Sequence, residues 1–128
     1  MANPNAPAPI QAATPGRFIA DGSTVAVVIK NVAGILCSLI AGNLSSSPFY
    51  LTLFDSATDP GTGGTGVWGP ILIPAAATAA DGGTSENALP PTGLNFVNGI
   101  VIHIHTGVAD SDETAVLANN GFVSWAYL

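Results

Sequence analysis

Two imidazoles one residue apart, in His103-Ile104-His105, are the side chains of this sequence most suited to chemistry. On an extended strand they share a face about 7 Å apart, which suits two ligands of a three- or four-ligand metal site. No third ligand is defined by spacing. His103 and His105 are therefore candidate ligands only, no metal site is assigned, and the simpler expectation is two polar residues on the outer face of a strand or at a subunit contact. Asp110-Ser111-Asp112-Glu113 places three carboxylates within four residues. A calcium loop needs roughly six to eight oxygens, and the EF-hand spacing is absent. A solvated acidic loop is expected, available to Arg17, Lys30 or a basic partner surface.

The remaining chemical candidates reduce to structure. Cys37 is the single cysteine and lies in the apolar run ILCSLI, so it reads as a buried thiol, without a disulfide or multi-thiolate role. No serine sits in a nucleophile-elbow context. The loop Gly61-Thr62-Gly63-Gly64-Thr65-Gly66 lacks the Lys-Ser/Thr and following helix of a phosphate cradle, and is expected to be a mobile inter-strand loop. Asn43-Leu44-Ser45 matches a glycosylation acceptor, but residues 1–16 do not read as a signal peptide, so export by that route is not expected and the match carries no weight. Trp68, Trp125, Phe49, Tyr50, Phe54 and Tyr127 have the chemistry to stack on a sugar ring, yet most fall inside expected strands, where aromatics pack. No catalytic or cofactor-binding residue is assigned, no cofactor is expected, and the protein is not read as an enzyme.

Composition narrows the partners. The chain has 128 residues, of which 48% are hydrophobic and only 8% charged. Two basic residues face eight acidic ones, for a formal net charge of −6. Nucleic acid is disfavoured because phosphate neutralisation takes several Lys or Arg, and an anionic membrane is disfavoured for the same reason. The longest strongly apolar stretch, 25–40, is interrupted by Lys30 and Asn31 and does not reach the length of a spanning helix. In place of charge the chain carries 9 Ser, 11 Thr and 9 Asn. Such a surface suits burial against another protein, where a stranded charge is costly.

The elements that must position these residues have a period of two. Residues 24–29 (TVAVVI), 34–41 (GILCSLIA), 48–54 (PFYLTLF), 67–73 (VWGPILI) and 99–105 (GIVIHIH) read as strands. In the last of these, Ile100, Ile102 and Ile104 point inward, with Val101, His103 and His105 outward. Gly69 and Pro70 make 67–73 a bent or edge strand. Residues 114–118 and 122–128 flank Asn119-Asn120-Gly121, the signal of a hairpin. Turn clusters containing many of the 15 Gly and 10 Pro separate the strands. The alanines at 75–80 are too few for an independent helix. The expected fold is all-β: a single β-sandwich of jelly-roll or Greek-key type with about seven or eight strands over residues 17–128. Residues 1–16 form an extended Pro-rich N-terminal arm. Its Pro4, Pro7, Pro9, Ile10 and Pro15 are the candidate partner-binding residues.

Three stretches, NVAGILCSLIAGNLSSSPFYLTLFD from Asn31, VWGPILIPAAATAADGG from Val67 and GLNFVNGIVIHIHTGVADSDETAV from Gly93, together resemble small structural proteins of tailed phages. The shared pattern is a strand, an N-x-S-x-S-P-x-Y-L-x-L-x-D hairpin, an I-x-I-P-A strand and then G-L-x-F-x-x-G-I, over roughly residues 25–115. That group includes jelly-roll capsid cement, or decoration, proteins. The resemblance implies a virion protein made in the host cytoplasm and seated on the outer capsid surface. It would bind the major capsid protein as a homo-oligomer, a dimer or trimer, and stabilise contacts between capsid subunits. A different class of function is a receptor- or carbohydrate-binding β-sandwich module of a phage tail or spike; a third is a metal-dependent enzyme built on His103 and His105.

Overall fold

A computed structural model describes residues 12–76, 83–85 and 89–128. Among these residues the chain is all-β, with nine strands in two antiparallel sheets and one short 3₁₀ turn, Gly61–Gly63. The strands are β1 Thr14–Ile19, β2 Ala26–Lys30, β3 Gly34–Asn43, β4 Phe49–Asp55, β5 Trp68–Ile73, β6 Gly83–Ser85, β7 Leu94–Phe96, β8 Ile100–His105 and β9 Gly121–Tyr127. One sheet runs β1-β9-β3-β6, with β7 also paired to β3; the other runs β2-β8-β4-β5. The first three connections each carry the chain from one sheet to the other, so sheet neighbours are distant in sequence.

Alternation decides which side chains meet between the sheets. Phe49, Leu51 and Leu53 of β4 and Ile100, Ile102 and Ile104 of β8 are buried against Leu36, Leu39 and Ala41 of β3 and Val123 and Trp125 of β9. Leu36 and Leu39 are three residues apart, and strict alternation would put them on opposite faces. A register shift between Leu36 and Ser38 resolves this: Cys37 is the extra residue, and both leucines turn inward. Cys37 is consequently half-buried at the bulge, not enclosed in the core as expected. A second shift sets Leu53 opposite Trp68 after Leu51 opposite Ile71, leaving Gly69 and Pro70 as the irregular part of the edge strand β5. Pro70 has no N–H to donate, and an irregular edge tolerates that.

Three expectations are corrected. β1 begins at Thr14 and pairs Pro15 with Ala126, so 14–16 belong to the sandwich and not to an arm ending at 16. Residues 43–55 are not a hairpin, because β3 and β4 lie in different sheets and 44–48 arch between them. Residues 114–118 form no strand against β9; Ala115 instead makes an isolated bridge to His105. The turn before β9 is drawn elsewhere by Asn119 N–H donating to Ala20 O at 2.8 Å, with Asn119 at φ 62°. The short strands β1, β6 and β7 were not foreseen. Pro4, Pro7, Pro9 and Ile10 lie outside the described residues.

Candidate functional site

The outer face of the β2-β8-β4-β5 sheet carries the two histidines, as parity requires, but not in the open. His103 and His105 are 0% exposed. This corrects the expected solvent-facing pair. Loops 56–67 and 106–114 lie over them. From the first loop, Asp59 Oδ1 is 3.1 Å from His103 Nε2 and accepts a hydrogen bond from its N–H. From the second, Asp110 Oδ2 accepts the Gly66 N–H at 2.8 Å and so ties one loop to the other. Beneath them, Phe54 packs on the His103 ring with centroids 4.3 Å apart, and Thr52 Oγ1 shares a 3.1 Å hydrogen bond with His105 Nε2. Gly66 is the residue type this closure needs, since a Cβ there would overlap the Thr52 methyl group.

The imidazoles do not converge on a common point. Their centroids are 6.4 Å apart and their planes nearly perpendicular, with the two Nε2 atoms committed to Asp59 and Thr52. No group of three His, Cys, Asp or Glu among the described residues is arranged to hold a metal ion. Both Nδ1 atoms are buried and complete no hydrogen bond among the described residues. Burial pushes His105 below the ordinary histidine range and the neighbouring His103 adds to this, while the Gly107 backbone, Asp112 and Asp110 oppose it. The acidic cluster thus serves the cover over the histidines. Asp112 Oδ1 accepts the Thr114 N–H at 3.0 Å. Lys30 instead reaches Leu128 O at 3.1 Å and lies 6.0 Å from the Tyr127 ring centroid.

The conspicuous polar residues of the sequence pattern are fasteners. Asn43, fully buried, donates from Nδ2 to Ser47 O at 2.8 Å and to Ile73 O at 3.3 Å, while its Oδ1 accepts from Ser45 N–H and Oγ. It holds the arch closed, so its amide is occupied. Asp55 accepts the N–H groups of Val97, Asn98 and Gly99, which hold its carboxyl below the usual range. Of the six aromatics suited to sugar stacking, Phe49, Phe54 and Trp125 are buried, Tyr50 and Tyr127 are half-buried, and Trp68 is exposed.

A different surface is unusual in the opposite sense. Pairing across β1, β9 and β3 builds three rows on the outer face of the first sheet: Ile19, Phe122 and Gly42; Arg17, Ser124 and Ile40; Pro15, Ala126 and Ser38. Arg17 is the only charge in these rows. Ile19 is 51% exposed, Ile40 42% and Phe122 36%, and Leu44 projects beside them at 46%. The Phe122 ring lies over Gly42, where a Cβ would collide with it. A cleft of about 440 Å³ runs past Arg17, Ile19, Leu44 and Phe122. This face was not foreseen, since no single segment carries it; its residues come from three strands well separated in the chain, β1, β3 and β9.

No family model, curated protein or solved structure matches the chain.

Proposed function

We propose that the protein is a cement protein of a tailed-phage virion, bound on the outer capsid surface and working by adhesion without transforming a substrate. The observation that carries this reading is the charge-poor outer face of β1, β9 and β3, with Ile19, Ile40 and Phe122 exposed around a lone Arg17. Interface cores are depleted in charge because each stranded ion costs free energy. The strand orders β1-β9-β3-β6 and β2-β8-β4-β5 interleave as two Greek keys and support the jelly-roll form of the sandwich.

Magnitudes favour an oligomer. A contact at the low end of ordinary apolar surface patches, about 300 Å², at about 25 cal/mol per Å² would yield roughly 7.5 kcal/mol gross. Association entropy opposes this by about 4–15 kcal/mol. One copy alone therefore binds poorly, and a dimer or trimer gains through effective concentration. The partner is the major capsid protein, contacted across subunit junctions. The test is co-sedimentation with undecorated heads assembled from the capsid protein of the encoding phage. Saturable occupancy in a fixed ratio to capsid subunits is expected, and failure to sediment with heads overturns the reading.

A further inference from the structure

The covered histidine pair supports a second inference, independent of shell binding. We propose that His105 is a proton-operated latch: protonation in mild acid frees loops 56–67 and 106–114 from the outer face of the β2-β8-β4-β5 sheet while the sandwich beneath them stays folded.

The argument begins with what each form of the ring requires. Neutral imidazole has one N–H and one lone pair, and the 3.1 Å contact with Thr52 Oγ1 serves one of its nitrogens. The imidazolium has two N–H donors and a charge to solvate. Among the described residues His105 Nδ1 completes no hydrogen bond, although the Gly107 backbone favours the charged ring, and the residue has no exposed surface. Every group facing it from the packed elements can be named. Tyr50 and Thr52 come from β4, His103 from β8 with its centroid 6.4 Å away, and the Gly107 backbone, Asp112 and Asp110 from the covering loop. Asp59 on the other loop is already bonded to His103. A charge on His105 would therefore sit in an enclosed space beside a second imidazole, where burial opposes it more strongly than the Gly107 backbone, Asp112 and Asp110 favour it.

Opening the loop is the cheaper relief. Ser56 N–H to Gly99 O at 3.2 Å, Val67 N–H to Leu53 O at 2.8 Å and the His105–Ala115 bridge anchor the loop ends. Between those anchors, the ties across the cover among the described residues are Gly66 N–H to Asp110 at 2.8 Å, Asp59 to His103 at 3.1 Å and Thr106 N–H to Thr114 O at 3.0 Å. Loops anchored at their ends and tied by a small set of bonds between them open locally at less than the cost of global unfolding. The direction in pH follows from the depressed folded-state value. The closed cover is at full stability above the ordinary histidine value of 6.5 and loses it as pH falls from there toward the lowered value.

Amide hydrogen exchange on the full chain, corrected for intrinsic rates, tests this at about pH 7.5 and about pH 5.5. Amides of 56–67 and 106–114 should exchange faster at the lower pH, by up to about tenfold, the ceiling at pH 5.5 for a ring that titrates at its ordinary 6.5 in the open form. Those of the β3–β9 ladder should not change. H105Q can keep a bond to Thr52 but cannot titrate, and should lose the acid step. Equal loop exchange at both pH values overturns the proposal. So does an acid step that persists in H105Q, or one in which the ladder opens together with the loops. If H105Q does not fold, NMR titration of the wild-type His105 ring decides. A midpoint below 6.5 that tracks loop exchange supports the latch, and one at or above 6.5 overturns it.

Discussion

Asn43 and Asp21 show how single polar side chains set backbone geometry here. Asn43 satisfies donors and acceptors on both sides of the arch from within the core. Asn43→Ala would leave those groups without partners and should destabilise the fold by about 1–3 kcal/mol, seen as a lower urea midpoint with unchanged slope. Asp21 is exposed, yet its carboxylate accepts from Thr24 Oγ1 at 2.6 Å, Thr24 N–H and Ser23 N–H, which lower its pKa to about 2 from 3.8. Its stabilising contribution is present above the unfolded value of 3.8 and is lost as pH falls toward 2. Urea titrations of wild type and Asp21→Asn across that range should converge in stability as pH falls. At this scale the sequence marks Asn43 and Asp55 as recurrent pattern positions, but not why. Their partners, Ile73 and 97–99, lie 30 and 42–44 residues away.

Between elements, burial is decided by two different rules. Inward positions of β4 and β8 follow alternation and were legible: Ile100, Ile102 and Ile104 are in the core. Ile102→Ala should cost about 2–5 kcal/mol, checked by thermal and urea unfolding, because the surrounding sheets cannot collapse into the space. Outward positions follow whatever loop arrives over them. Gly66→Ala would drive a methyl into Thr52 and disturb the Asp110 tie. A loss of about 1–3 kcal/mol is expected, together with faster exchange in 56–67 and 106–114 at neutral pH. Bulges were illegible for a related reason. Cys37 looks like any apolar strand residue until the pairing of Leu36 with Tyr127 and Ser38 with Ala126 makes it the extra one.

For the molecule as a whole, function is proposed to reside in a surface assembled from three strands far apart in the chain, β1, β3 and β9. Ile19→Asp sets a charge on the proposed contact face, where it is solvated in the free protein but would be buried on a shell. Head occupancy should drop about tenfold or more, since a stranded charge costs several kcal/mol, while thermal stability moves by about 0.5 kcal/mol or less. Deleting 1–11 leaves β1 whole and tests the arm, with Pro4, Pro7, Pro9 and Ile10, separately from the fold. Retained stability with weaker head binding is the expected outcome, measured by thermal unfolding and co-sedimentation. A deletion through residue 15 would instead remove Thr14 and Pro15 from the ladder with β9 and confound the two.

By itself the sequence determines the period of two, the positions of the long strands and the scarcity of charge, because each depends on neighbouring side chains and backbone preferences. The tertiary structure decides that β3 and β4 part into different sheets, that the histidines are enclosed, and that Ile19, Ile40 and Phe122 share one face. Strand parity assigns a side chain to a face of a sheet. Whether that face meets solvent, a loop or another sheet depends on contacts between residues far apart in the chain, which no local pattern encodes.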